Sequence, residues 1–365
     1  MFDSILTYDK LEREALKTLP NRALQAFGCF AFNQFGYPSR VSDAGELWRF
    51  IDVMHEGNFE HHLKVLRRVS EEELELASWL AKGTFEYSTR NFGRPLTGRH
   101  CITAALIQLR GIRRIEALPN TTRVLELGPG SGFLSLLMAK VGYAVDTVEV
   151  SQAFALHQAH FFKHFLPESS KSFADSQYEF DPSAASELGC IRQIPWWSYG
   201  DNGPITQNYD LLTANHALAE FHPDGLLYMM KRFGAMHFAR WGRSPIIFAD
   251  TFGYAVTPYQ TIEARLNQYG WVFDRHAPFY FIQYDPSRAL QQTIDIEQKT
   301  RYEGTVRRKV KRWLYLALYE RANMSRGAKK LPDVTDASLE QLREVFDALV
   351  PEERTPDEMY IEARN

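Results

Sequence analysis

The clearest hydrophobic pattern lies near the middle of the chain. An apolar run, Val124–Leu127, breaks into three alternating glycines, Gly128, Gly130 and Gly132. Apolar positions then resume at helical spacing through Leu134, Leu137 and Met138, which predicts strand, tight turn and helix. The same alternation continues. Ala144–Val150 reads as a second strand, and Ser151 caps a helix to about Leu166. Cys190–Trp197 reads as a third strand ending in aromatics, and Tyr209–Ala214 as a fourth ending in polar Asn215 and His216. Ser244–Asp250 forms a fifth, a helix starts near Thr261, and Trp271–Pro278 with Phe279–Tyr284 makes a closing hairpin. Strands alternating with helices predict an α/β fold with a parallel sheet.

The flanks carry helical period instead. In residues 1–120, positions 47, 48, 51, 53 and 54 give an amphipathic segment after Ser42-Asp43, and Ser70-Glu-Glu-Glu73 spells a capping box. Residues 85–100 read as a loop dense in glycine, aromatics and arginines, followed by an apolar helix over Ile102–Ile112. Residues 286–365 hold a basic amphipathic segment around 307–318 and a helix over Ser338–Val350. The expected organisation is a helical N-terminal region, 1–120, a central α/β domain, 121–285, and a partly basic helical extension, 286–365.

Alternating glycines suit a backbone that turns sharply and lets a ligand come close. Glu149 ends the second strand 23 residues after Glu126, the distance at which a βαβ unit offers a carboxylate to a ribose diol. The dinucleotide fingerprint G-x-G-x-x-G fails in both registers, where Phe133 and Ser135 stand in place of the third glycine, and no Gly-Lys-Ser/Thr follows for a P-loop. A glycine-rich βα turn without a ligand is the plainer alternative. The stretch Glu126-Leu-Gly128-Pro-Gly130-Ser131-Gly132 resembles motif I of the class I S-adenosylmethionine-dependent methyltransferases, E/D-x-G-x-G-x-G. That resemblance implies a Rossmann-like seven-stranded sheet with a reversed last strand, and S-adenosyl-L-methionine as cofactor. It places Glu126, Gly128, Gly130, Ser131 and Gly132 at the methionine end and Glu149 on the ribose. It further places Trp196 near the adenine and Asn215 on the cleft.

Nucleobase and glutamine amino methyltransferases carry Asn/Asp-Pro-Pro-aromatic at the fourth strand, and Asn215-His-Ala-Leu departs from this. More distantly, the order of elements resembles bacterial sugar O-methyltransferases. The leading expectation is methyl transfer to a hydroxyl of a sugar or related polar small molecule. A nitrogen acceptor and a non-catalytic scaffold are the alternatives. His216 is the first choice for a general base because imidazole titrates near neutrality, with Glu220 and His222 in reserve; a helix N-terminal histidine bonded to backbone is its plain reading. His100, Arg90, Arg94 and Arg99 are further candidates from the preceding loop. His157, His160 and His164 share one helix face, but they lack a carboxylate or cysteine partner and read as a partly exposed polar stripe, with no metal.

Charge changes the picture little. The net charge is −3 with a pI near 6.4, which argues against a general nucleic-acid binder. Three scattered cysteines, Cys29, Cys101 and Cys190, suit reduced thiols. No basic and apolar leader opens the chain and no uncharged run has membrane length, so a cytoplasmic location is expected. The basic stretch in 301–330 either touches an anionic membrane peripherally or packs on the protein with a solvated face. Homo-oligomers are compatible with the sequence.

Overall fold

The computed structural model describes residues 2–26, 39–53, 58–115, 122–173, 175, 181, 186–200, 209–215, 217–218, 228, 246–249, 259–268, 271–276, 279–284 and 336–350. The N-terminal part consists of α1 (Phe2–Leu16), α2 (Asn21–Ala26), a 3-10 helix (Ala44–Phe50), α3 (Phe59–Leu66), the short strand β1 (Val69–Ser70), α4 (Glu71–Phe92) and α5 (Arg99–Arg113). The capping box forms as expected: Ser70 Oγ accepts the Glu73 N–H at 3.1 Å and the Glu73 carboxylate accepts the Ser70 N–H at 2.9 Å. The same carboxylate takes both ends of an Arg110 fork from α5 at 2.5 Å, which locks α4 to α5.

Two expectations are corrected here. Residues 85–92 are helical, because Thr84, Tyr87 and Ser88 continue the buried face begun by Leu76, Leu80 and Ala81. Gly93, at φ +66°, ends that helix, leaving only 93–98 as loop. The amphipathic segment after Ser42 is a 3-10 helix capped by Asp43, and it buries Leu47, Trp48 and Phe50.

The central sheet is built from β2 (Arg123–Leu127), α6 (Phe133–Lys140), β3 (Ala144–Glu149), α7 (Gln152–Phe165), β4 (Ser170–Lys171), β5 (Ile191–Pro195), α8 (Trp196–Gly200), β6 (Leu211–Thr213), β7 (Ile246–Ala249), α9 (Tyr259–Gln268), β8 (Trp271–His276) and β9 (Phe279–Tyr284). Its order is β4-β5-β3-β2-β6-β7-β9-β8. All pairings are parallel except those of β9, which runs antiparallel to both β7 and β8. The reversed last strand after a hairpin is therefore present. The two-residue β4 adds an eighth described strand at the outer edge, beyond the seven implied by the resemblance.

Side chains alternate between two cores, one on each face of the sheet. Val124, Val145, Ile191 and Leu211 face a core with α4, α5 and α6, whereas Leu125, Val148, Ile194 and Leu212 face one with α1, α8 and α9. Register sets Glu126 opposite Thr147 and Thr213, and Glu149 opposite Pro195. The carboxyl ends of β2, β3, β5 and β6 thus lie side by side, where open α/β sheets bind ligands.

The chain later returns to its N-terminal part. β10 (Asp336–Ala337) pairs antiparallel with β1, and α10 (Leu339–Asp347) buries Leu342 and Phe346 in the core beneath α4. Ser338 and Gln341 form a second capping box. The basic stretch 301–330 lies outside the described residues. No described helix is long and apolar enough to cross a membrane.

Within the sheet, Asp146 of β3 and Arg192 of β5 form a buried pair at 2.7 and 3.0 Å, with the Tyr209 hydroxyl donating to Asp146 at 2.5 Å. Removing one partner strands the other charge away from water. Asp146→Ala is expected to destabilise the fold by about 3–5 kcal/mol in urea unfolding, and a change below about 1 kcal/mol would show that the pair is dispensable.

Candidate cofactor site

The glycine turn spans β2 and α6. Gly128, Gly130 and Gly132 have φ of +63°, +56° and +83°, left-handed conformations that L side chains rarely adopt. Their surroundings differ. A Cβ at Gly128 would meet Ala217 at 2.9 Å and one at Gly132 would meet the Phe162 ring at 2.5 Å, whereas one at Gly130 would meet nothing within 4 Å. Gly128 and Gly132 are packed against; Gly130 keeps an approach clear.

Two buried carboxylates flank this turn. Glu126 accepts from the Ser135 hydroxyl. Burial lifts its pKa to about 7, opposed by that hydrogen bond and helped by the nearby Glu149 charge. Glu149 accepts the Ser151 N–H at 2.9 Å and the Gln158 amide at 3.4 Å, with the backbone N–H groups of Gly130 and Val150 also directed at it. Burial outweighs these donors and raises it, too, to about 7. Gln158 of α7 also donates to the Gly130 carbonyl at 2.7 Å, so it ties carboxylate to turn. Sequence reasoning missed Gln158. Its only signal was an amide on an otherwise apolar helix face.

The histidine face is corrected. His157 is fully buried behind the turn, with its ring 4.9 Å from Phe161 and the Ser131 backbone carbonyl directed at it. Burial drives it down to about 3, so the imidazole is neutral. His160 meets Ser4 of α1 at 2.9 Å, and His164 lies against Tyr87. Among the described residues, no group of three or more His, Cys, Asp or Glu is placed to hold a metal.

Ser131 is held from the N-terminal side, where the Cys101 thiol lies 3.7 Å from its hydroxyl and the Cys101 N–H donates to Asp52 at 2.8 Å. His100 does not reach the turn; its ring sits edge-on to Phe59 at 6.2 Å. The arginines are likewise used elsewhere. Arg94 stacks 4.0 Å above Trp48, Arg99 lies 5.4 Å from the Phe59 ring, and Arg90 is exposed in the last turn of α4.

Beyond Glu149 lies a small cavity bordered by Tyr8, Thr147, Gln158, Gln193 and Trp196. Trp196 donates its indole N–H to Glu12 at 2.9 Å, and Trp197 packs edge-on to Tyr8 at 5.1 Å. Thr147 Oγ1 is buried at this cavity with no hydrogen-bond partner. Asn215, half-buried at the end of β6, donates to Thr213 at 2.9 Å. The structure therefore brings together Glu126, Gly128, Gly130, Ser131, Gly132 and Glu149, with Trp196 beside them and Asn215 at the neighbouring strand end. His216, Glu220 and His222 lie outside the described residues.

A reversed-end parallel sheet, a glycine turn after its first central strand and a carboxylate ending the next make up the arrangement that the motif I resemblance implies. The residues present fit S-adenosyl-L-methionine: Gly130 leaves room, Glu149 offers acceptors, and Thr147 is an orphaned polar group at the adjoining cavity. No family model and no curated protein matches the chain. Solved structures similar to it include magnesium protoporphyrin IX methyltransferase (ChlM) from Synechocystis PCC 6803 with bound SAM, at 11% identity and TM-score 0.30 over 67% of this chain and 98% of that one. Another is a SAM-dependent methyltransferase from Aquifex aeolicus, at 13% identity and TM-score 0.31 over 48% and 87%. A third is MtNAS in complex with MTA and tNA, at 13% identity and TM-score 0.34 over 76% and 98%.

Two outcomes follow from the site itself. Gly132→Ala is expected to lower stability by about 2 kcal/mol or more, through positive φ and the Phe162 clash, while Gly130→Asn leaves the melting temperature nearly unchanged. Equal losses in both would contradict the packing difference. Glu126 and Glu149 have folded values near 7 against 4.5 for the ordinary group, so the folded state holds these protons more tightly. Stability without ligand should therefore fall as pH rises from about 4.5 to about 7. Glu149→Gln should flatten that slope in a pH series of unfolding curves.

Proposed function

We propose that the protein is an S-adenosyl-L-methionine-dependent methyltransferase acting on a polar small molecule, with a hydroxyl of a sugar or related metabolite as acceptor. The observation that carries this reading is the pair of buried carboxylates, Glu126 and Glu149, set on either side of a turn whose central glycine faces open space. The cofactor's sulfonium supplies an electrophilic methyl group; the protein's task is alignment and desolvation. Glu149, ionised, accepts the ribose hydroxyls while Gln158 and Ser151 hold its orientation. Gly130 admits close approach of the ligand to backbone, and Glu126, fixed by Ser135, serves the methionine end. His216 takes the acceptor proton, with Glu220 and His222 as further polar groups after the fourth central strand.

Calorimetric titration with S-adenosylhomocysteine, run beside NAD, tests the cofactor. Binding of the former alone is expected, and its affinity should rise with pH through about 7 as Glu149 ionises, by at most about tenfold per unit. Gly130→Arg and Glu149→Ala should each abolish or severely weaken binding while the protein stays folded; wild-type affinity in both would refute the site. Given an acceptor from a sugar screen, His216→Ala should lower turnover and leave S-adenosylhomocysteine affinity intact. An unchanged rate would remove it as the base.

A further inference from the structure

The first helix of the chain forms one wall of the cavity beside Glu149. We infer that α1 is a movable wall of the nucleoside end of the cofactor site, and that a purine nucleoside enters and leaves only when α1 undocks. This rests on the cofactor reading above.

Three observations support it. First, Tyr8 of α1 stands across the cavity from Thr147 and Gln193, whose polar groups belong to the sheet. The free space between these side chains holds about one water molecule. A purine fits only if a wall shifts, and the sheet side, being fully buried parallel strands, is the rigid one. Second, α1 controls the aromatic beside the cavity, since Glu12 accepts the Trp196 indole N–H at 2.9 Å. Undocking α1 frees Trp196 at the same moment.

Third, the described residues on the docked face of α1 are half polar. That face presents Ser4, Ile5, Tyr8, Asp9, Glu12 and Ala15, of which only Ile5 and Tyr8 are large apolar groups. Leu6, Leu11 and Leu16 point to solvent. The rest of the attachment is a clasp around Arg40. Its guanidinium donates to Asp9 at 2.9 Å and to Glu12, while Gln152 donates to Asp9 at 2.7 Å and accepts the Val41 N–H at 2.9 Å. Such polar ties exchange for water with little net change, so the cost of opening lies in Ile5 and Tyr8, which leave the core they share with Phe173 and Trp197. Gln152 begins α7 just after Glu149, which couples the clasp to the ribose carboxylate.

The test is stopped-flow binding of S-adenosylhomocysteine, followed by tryptophan fluorescence, with hydrogen exchange of the α1 amides. Arg40 is half exposed and does not line the cavity, so Arg40→Ala loosens the clasp at a residue that reaches Trp196 only through Glu12. Association and dissociation rates are expected to rise together by about fivefold or more, with Kd changed less than about threefold. In the wild type, bound ligand should slow exchange over 2–16. Tyr8→Leu, which keeps bulk but not the ring, should weaken affinity by about tenfold. Unchanged rates in Arg40→Ala, or unchanged α1 exchange on binding, overturns the inference and leaves the cofactor reading standing. No binding by either protein overturns both.

Discussion

Two carboxylates that cannot both be well solvated set the terms for this molecule. Glu126 and Glu149 end neighbouring parallel strands, nearly out of reach of water, and each raises the other's cost of ionisation. What makes the arrangement tolerable is a ring of donors: the Ser135 hydroxyl, the Ser151 and Gly130 N–H groups, and the Gln158 amide. The donors come from three pieces of backbone. The turn after β2, the start of α7 and the first turns of α6 are therefore fixed relative to one another by the same charges they stabilise. A ligand bearing hydroxyl donors would relieve the remaining deficit, which is why a stability penalty in the free protein becomes affinity in the bound one.

The helical N-terminal part is continuous with this site rather than appended to it. Asp52 caps the start of α5 from a distance, and Cys101 in that first turn touches Ser131. His157, kept neutral by burial beside Phe161 and Tyr87 of the same core, fills the space behind the turn. The turn is thus held both from α5 and from α7.

Much of this was legible in the sequence, and the reasons are physical. Short continuous apolar runs bounded by turn residues mark buried parallel strands, and the Ser70–Glu73 capping box formed as spelled because its chemistry is local. The segment 85–92 misled because aromatic and arginine content mimics a loop, while the face formed by Leu80, Thr84, Tyr87 and Ser88 becomes visible only with its partner helices in place. The His157 face misled for a related reason: spacing says which side chains share a face, never what covers it. Gln158 and the Arg40 clasp join residues distant in the chain, so no local pattern could announce them. The proposed base, His216, rests on its position after the fourth central strand alone.

The return of the chain to its beginning has a consequence for synthesis. Val69 pairs with Ala337, and Leu342 and Phe346 complete a core whose other members were made long before. An emerging chain can assemble the helices around α4, yet the apolar socket beneath them stays uncovered until residues 336–350 have left the ribosome. Maturation of the N-terminal part therefore waits until after the central sheet has been synthesised, and a product cut short before that segment exposes a greasy surface that quality-control proteases and chaperones are built to detect.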